Sequence, residues 1–338
     1  MNKTRKKKIV VIGGGTGTFT ILSGLKKYPQ LDLSVIVSMM DDGGSNRVIR
    51  DEFGLLPTSD LRQCMVALAS DSVDETLRKL FTYRYGQGVG ITGMTFGNLF
   101  MAALTDIYKG NQKKAIEETC EVLGVKGSVI PVTFDKAHLV ATYSNGKQVL
   151  GEHSIDEPTP EQGKYKITNL EVIPKAKVNK EATGAIESAD FVILGPGDFY
   201  TSVLPNVIIK GVADSLQKTK AKIIFVMNLM TKFGQTSGFA ASNFIDEINK
   251  YSGRNPDIVI INNSDNFPKS ILAKYKKESA KPVKDDLDGD KTIKIVRRNL
   301  ISSKTYKKPK SDKLVRSLIR HDSEKLAKAV LDLILTSN

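Results

Sequence analysis

Two cysteines and three histidines are all that the chain has of the residues that build disulfide frameworks and zinc sites. They are scattered, without zinc-ligand spacing, so neither a disulfide scaffold nor a structural zinc is expected. Cys64 and Cys120 each stand in a stretch with helical apolar spacing and read as small buried hydrophobes, which suits a reducing compartment. Missing too is any run approaching the roughly 18 apolar residues of a membrane span. The N-terminus is basic, but the short apolar stretch after it ends in glycines, unlike a signal peptide. A cytoplasmic protein with no membrane span is expected. At 338 residues the chain can bury an ordinary core without staples.

Acidic residues are outnumbered, 37 against 50 Lys and Arg, giving a formal charge of +13. Such an excess suits phosphate neutralisation on nucleic acid. Much of it is gathered at residues 3–8, 274–284 and 297–313, however, and no stretch alternates basic with stacking aromatic residues. A lysine-rich solvated surface explains the charge, and no nucleic-acid partner is expected.

What is present is a repeated pattern of apolar strand, polar turn and helix. Residues 8–12 form a short apolar run ending in Gly13-Gly14-Gly15-Thr16-Gly17-Thr18, and residues 19–28 have helical periodicity closed by Pro29. Residues 33–40 are a second apolar run, ending in Asp41-Asp42-Gly43-Gly44-Ser45. Near-continuous apolar strands alternating with helices predict a parallel sheet covered on both faces. Helical stretches at 61–69, 73–83, 96–107 and 113–123 follow without strands between them. They predict a helical insertion over about 60–124. Alternation at 128–133, 138–143 and 147–152, with Ser144-Asn145-Gly146 as a turn, continues through 166–172. It predicts a small antiparallel β subdomain over about 127–173. Strands resume at 191–194, 223–227 and 258–261, separated by helices at 207–216 and 242–251, and an amphipathic helix at 323–335 ends the pattern.

Glycine removes Cβ and permits positive φ, so the first turn brings backbone N–H groups close to whatever lies above it, at a helix N-terminus that favours an anion. A phosphate is the expected occupant. The turn is not a full dinucleotide fingerprint, since Thr18 holds the sixth position, nor a Walker A loop, since no Gly-Lys-Ser/Thr follows. Asp60, after Pro57-Thr58-Ser59, either caps a helix or joins the adjacent carboxylates of the second turn in holding a hard cation such as Mg²⁺. Arg47, Arg50 and Arg62 are candidate clamps for a second anionic group, or surface partners of Asp51 and Glu52. Gly195-Pro196-Gly197-Asp198-Phe199-Tyr200-Thr201-Ser202 repeats the logic of the first turn, and Asn228 and Asn262-Asn263 follow the next two strands. Polar, glycine-rich chemistry at the same end of four strands marks a nucleotide cleft.

These motifs, together with Asp60-Leu61-Arg62-Gln63-Cys64, Phe96-Gly97-Asn98-Leu99 and Arg320-His321-Asp322, follow the order and spacing of the 2-phospho-L-lactate transferase family. The chain resembles that family from around Lys8 to its last helix, and is most similar to the bacterial branch called the gluconeogenesis factors. The resemblance implies a single Rossmann-like domain over residues 8–338 behind a basic arm at 1–7. It implies a guanosine-diphospho-phospholactate site in the transferase branch and UDP-sugar binding in the other. With the latter comes a role in cell shape and envelope synthesis during gluconeogenic growth.

The expected ligand is therefore a UDP-sugar such as UDP-N-acetylglucosamine, with GDP and NAD ranking behind it. The residues expected to hold it are Gly13, Gly14, Gly15, Thr16, Gly17, Thr18, Asp42, Gly43, Gly44, Ser45, Asn98, Gly195, Pro196, Gly197, Tyr200, Thr201, Ser202, Asn228 and Arg320. If the chain is an enzyme, the expectation is a phosphotransferase in which Asp42 and Asp60 carry Mg²⁺ and the catalysis. A third reading is an NAD(P)-binding oxidoreductase; homo-oligomerisation stays open. Three departures bear on substrate choice. Pro57-Thr58-Ser59-Asp60 stands where the family has Pro-Pro-Gly-Asp, and Met94-Thr95 where it has His-Ser. Met230-Thr231-Lys232-Phe233-Gly234-Gln235-Thr236 stands for Met-Thr-Gln-Pro-Gly-Glu-Thr, an amide for the acid at Gln235.

Overall fold

The strands are β1 (Lys7–Ile12), β2 (Leu31–Val37), β3 (Ser128–Pro131), β4 (His138–Tyr143), β5 (Gln148–Leu150), β6 (Ile167–Ile173), β7 (Phe191–Leu194), β8 (Lys222–Val226), β9 (Ile258–Asn262) and β10 (Lys294–Arg298). This computed structural model describes residues 5–73, 75–288, 292–304 and 317–336. Residues 1–4 of the expected basic arm and 305–313 of the last basic run lie outside the described residues. Seven strands form one sheet in the order β10-β9-β8-β7-β1-β2-β3, with every neighbouring pair parallel.

The near-continuous apolar strands account for this architecture. Along β1, Ile9 and Val11 enter one buried cluster while Val10 and Ile12 enter another on the opposite face. A strand buried on both faces suits a parallel sheet sandwiched between helices. The chain lays down β1, β2 and β3 in one direction, then returns to β7 beside β1 and proceeds to β10 the other way. The strand order therefore reverses between β1 and β7, and crevices for ligands open at such a switch point.

Four helices, Ser59–Leu68, Glu75–Thr82, Phe96–Ile107 and Gln112–Val122, sit between β2 and β3, where the helical insertion is expected. The antiparallel sheet is smaller than expected, with three strands in the order β5-β4-β6. Residues 128–133 were expected in it, but β3 pairs with β2 in parallel, Ser34 opposite Ser128 through Val37 opposite Pro131. The reason is burial: Val129 joins the core on one face and Ile130 that on the other. Pro131 is tolerated because β3 is an edge strand, where a ladder donor is dispensable. Further elements add to the expected set: β10 and the helices Gly44–Phe53, Lys180–Ser188 and Lys269–Lys277. The last of these buries no residue fully and packs only the half-buried Ile271, Leu272 and Tyr275 against the core.

Cys64 is buried and Cys120 half-buried, both unbonded; burial pushes the Cys64 thiol well up and that of Cys120 to about 12. Both behave as hydrophobes. No described helix is long and apolar enough to cross a membrane.

The last helix, Ser323–Thr336, packs on Gly15–Leu25 at Gly24, where a Cβ would stand 2.2 Å from the Ser323 carbonyl oxygen and 2.7 Å from the Ala327 Cβ. Alanine at an open helix position gains about 1 kcal/mol over glycine, but overpacking a closed contact costs about 1–3 kcal/mol. Gly24→Ala should therefore lose about 1–2 kcal/mol of stability, read as a lowered urea midpoint at unchanged slope.

Candidate functional site

The two glycine turns at the switch point are in direct contact. Gly13 N–H donates to the Ile36 carbonyl and Gly195 N–H to the Ile12 carbonyl, so each turn leaves its strand in ladder register. The Thr18 hydroxyl then donates to the Pro196 carbonyl at 3.2 Å, tying the first turn to the second. A Cβ on Gly17 would lie 2.5 Å from that same Pro196 oxygen, and Gly15 has φ +65°. Glycine is thus required at one position by contact and favoured at the other by conformation. The helix Gly15–Leu25 begins at Gly14 with no side-chain cap and no acid in its first turn, so its N–H groups present a positive end. Asn228 Nδ2 donates to the Gly197 carbonyl at 2.8 Å and steadies the second turn.

Above the turns lies a cavity of about 580 Å³, within the usual range of ligand pockets. Of the residues expected at a site, Gly14, Gly15, Thr16, Gly17, Gly43, Ser45, Asp60, Pro196, Gly197, Ser202, Asn228 and Arg320 line it. Gly13, Thr18, Gly44, Asn98, Gly195, Tyr200, Thr201 and Asp42 do not. Several of these support the wall from behind. Asn98 is fully buried, donates to the Ser45 and Ser59 hydroxyls and accepts from Arg62 Nε at 3.0 Å. Thr201 donates to Asp156, and Tyr200 is buried against Phe199 and Phe239.

Asp42 and Asp60 are not brought together as a metal pair. Asp42 accepts the His153 backbone N–H at 2.8 Å and turns out of the cavity that Asp60 lines. Asp60 stands in the first turn of its helix, behind the N-cap Thr58, with its carboxylate against Gly14. Among the described residues no three of His, Cys, Asp and Glu are placed to hold one ion. Of the expected pair, Asp60 lines the cavity and Asp42 does not. Nor do the three arginines form a clamp: Arg47 pairs with Asp51, Arg50 donates to the Ala137 carbonyl beside His138, and only Arg62 lines the cavity. Met94 is buried and does not line the cavity.

Beyond the residues expected to hold the ligand, Asp41, Lys232 and His321 from the quoted motifs and Glu152, Asp156 and Tyr275, which motif reading did not single out, line the cavity. On the β2 side, burial pushes Asp41 up to about 6 even though Gly43 N–H at 2.8 Å and Asn46 Nδ2 at 2.5 Å both donate to it. Burial also pushes Glu152 well up, and Asp41, Asp156 and Asp60 add to the effect. Between β7 and β8, Lys232 bridges Asp156 at 2.5 Å and Asp198 at 3.0 Å. On the β8 side burial holds His321 down at about 4, a neutral imidazole whose Nε2 has no partner among the described residues. The Asn228 Oδ1 is likewise unpartnered among them. The Tyr275 hydroxyl accepts the N–H groups of Leu318 at 3.0 Å and Ile319 at 3.3 Å, which draws the segment carrying Arg320 and His321 over the cavity.

An open parallel sheet with a crevice over the carboxyl ends of its switch-point strands defines an α/β protein with a binding cleft where such folds place one. The chain belongs to the family described as 2-phospho-L-lactate transferase CofD, matching it over residues 9–303. It is 34% identical to the gluconeogenesis factor of Bacillus subtilis, over 98% of this chain and 99% of the relative. The gluconeogenesis factor of Halalkalibacterium halodurans is 35% identical, with 97% of each chain covered. A crystal structure of a protein from Bacillus halodurans superposes with a TM-score of 0.86 at 33% identity, covering 97% of this chain and 100% of that one.

Removing Lys232 leaves two facing carboxylates without their cation. Breaking a fully buried pair costs about 3–5 kcal/mol; here the lysine side chain is 29% exposed, so Lys232→Gln should cost about 2 kcal/mol at pH 7. Burial works to raise Asp156, but Lys232 overrides it and holds the carboxyl below its ordinary 3.8. A depressed carboxylate stabilises the fold above that range and stops doing so as pH falls through it. Urea titrations should therefore show the full deficit at pH 7 and a smaller one below about pH 4.

Proposed function

We propose that this protein binds a nucleoside diphosphate sugar, a UDP-sugar such as UDP-N-acetylglucosamine, with the diphosphate over the two glycine turns. On this reading the bound state serves cell-shape and envelope control during growth on gluconeogenic carbon. The observation that carries the reading is the contact between the two turns: two backbone cradles and an uncapped helix N-terminus share one cavity floor. Arg320, which lines the cavity with its Nε on the Ser317 carbonyl, supplies a guanidinium for a phosphate oxygen. The relatives named gluconeogenesis factor supply the growth setting of this reading.

A second reading, phosphotransfer, is favoured by the family's name and by Asp41, a cavity carboxyl held at about 6 and so poised to take a proton from an attacking hydroxyl. Turnover separates the two readings: release of free nucleotide from a nucleoside-diphosphate donor would establish transfer.

A thermal-shift series with UDP-, GDP- and NAD-type ligands tests the ligand class, since a compound that binds only the native state raises its melting point. UDP-sugars should give the largest rise. Valine at Gly15 places a β-branched side chain at φ +65° beside the cradle, and calorimetry should find UDP-sugar affinity reduced at least about a hundredfold. Arg320→Ala should weaken binding about thirtyfold, the scale of a lost charge-assisted hydrogen bond, and leave the ligand-free melting point in place. Unchanged titration curves for both variants would remove the two turns and the C-terminal segment from the site.

A further inference from the structure

We infer that the β2 side of the cleft is a subsite for the sugar, built for an uncharged, hydroxyl-rich ring and closed to sugars that carry a carboxylate; this rests on the nucleotide-sugar reading above. Three separate segments deliver acceptors to this side: Asp41 from the turn after β2, Asp60 from the helix Ser59–Leu68 and Glu152 from the helix Glu152–Asp156. No donor hydrogen-bonds the Glu152 carboxylate among the described residues, although that carboxylate faces the cavity. An independent observation points the same way. Gln235, only 2% exposed and lining the cavity, commits its Nε2 to Asp156 at 3.1 Å and leaves its Oε1 unpartnered among the described residues.

Buried acceptors without donors are costly unless a ligand supplies the hydrogens. Carboxylates and an amide oxygen accept, and each sugar hydroxyl can donate to one of them. A metal ion is the other partner acids commonly take; the described residues place no three candidate ligands around one point, so no metal cage built from the protein alone claims these acids. Three of the cations that line the cavity are already engaged. Lys232 is held by Asp156 and Asp198, Arg62 by Asn98 and the Phe81 carbonyl, and Arg84 by the Gly93 carbonyl. A carboxylated sugar would bring a further negative charge against Glu152 and Asp41, and Lys232, the cation that acts on Glu152, is already held by two acids.

Calorimetric titration of the full chain with UDP, UDP-glucose and UDP-glucuronate tests this, because the two sugars differ only in a hydroxymethyl against a carboxylate. UDP-glucose should bind more tightly than UDP, and UDP-glucuronate at least about thirtyfold more weakly than UDP-glucose. Glu152→Gln should leave UDP affinity within about twofold and shrink the gap between the two sugars to under about tenfold. Equal binding of the two sugars by the wild-type chain would overturn the subsite with no variant needed. So would a Glu152→Gln variant that loses UDP as much as UDP-glucose, since the ribose would then lie on that side. If neither UDP nor UDP-glucose binds, the nucleotide-sugar reading falls, and the subsite with it.

Discussion

At the switch point, the carbonyl of Pro196 lies where a Cβ on Gly17 would come within 2.5 Å of it, and the Thr18 hydroxyl donates to that same oxygen. The cavity floor depends on this one contact. Because β1 and β7 are adjacent and parallel, their turns leave the sheet side by side, and only a missing side chain lets them touch. The first helix, Gly15–Leu25, then starts at the contact itself and aims its uncapped N–H groups at the space above. A larger residue at Gly17 would separate the turns and tilt the helix that carries the first of them.

The charges over that floor are distributed against the chain's overall balance. A protein of formal charge +13 gathers Asp41, Asp60, Glu152, Asp156 and Asp198 in its cleft and sets Lys232 among them. The arrangement avoids an unpaired ion by graded means. Asp156 is paired with a lysine and accepts from two further donors, Asp41 accepts from a backbone N–H and an asparagine, and Glu152 is pushed well up by burial and by the acids around it. Of the basic run at 274–284, Lys274 alone among the lysines lines this cleft.

Most of the sheet was legible because a parallel strand buried on both faces is apolar along its whole length. Residues 191–194 match β7 for that reason, and 8–12 and 258–261 miss their strands by one residue. Edge strand β3 was misassigned to the antiparallel sheet because four residues are too few to separate alternation from two-sided burial. The glycine turns were legible because glycine has few other reasons to recur at strand ends. The acids were not. Asp42 and Asp41 are equivalent in sequence, and which of them faces the cleft is decided by the His153 N–H, 111 positions away. Glu152 and Asp156 reach the cleft only because the small antiparallel sheet sets their short helix beside the turn that follows β2, a tertiary placement without a local signature.

The C-terminal segment shows how a distant piece of chain is positioned without a long-range motif. Residues 317–322 are held at three points: the Tyr275 hydroxyl takes two of their N–H groups, His321 bridges to Ile301, and Asp322 N–H donates to the Leu300 carbonyl. Directly after them the last helix docks at Gly24, on the same helix whose first residue, Gly15, belongs to the glycine turn. Arg320 and His321 are thus placed relative to the turn by helix packing, a close-packed contact that resists gradual deformation. A segment anchored that way presents its guanidinium and its neutral imidazole at a fixed height above the cradle. It is part of the cleft wall, and the first helix sets the geometry at both of its ends.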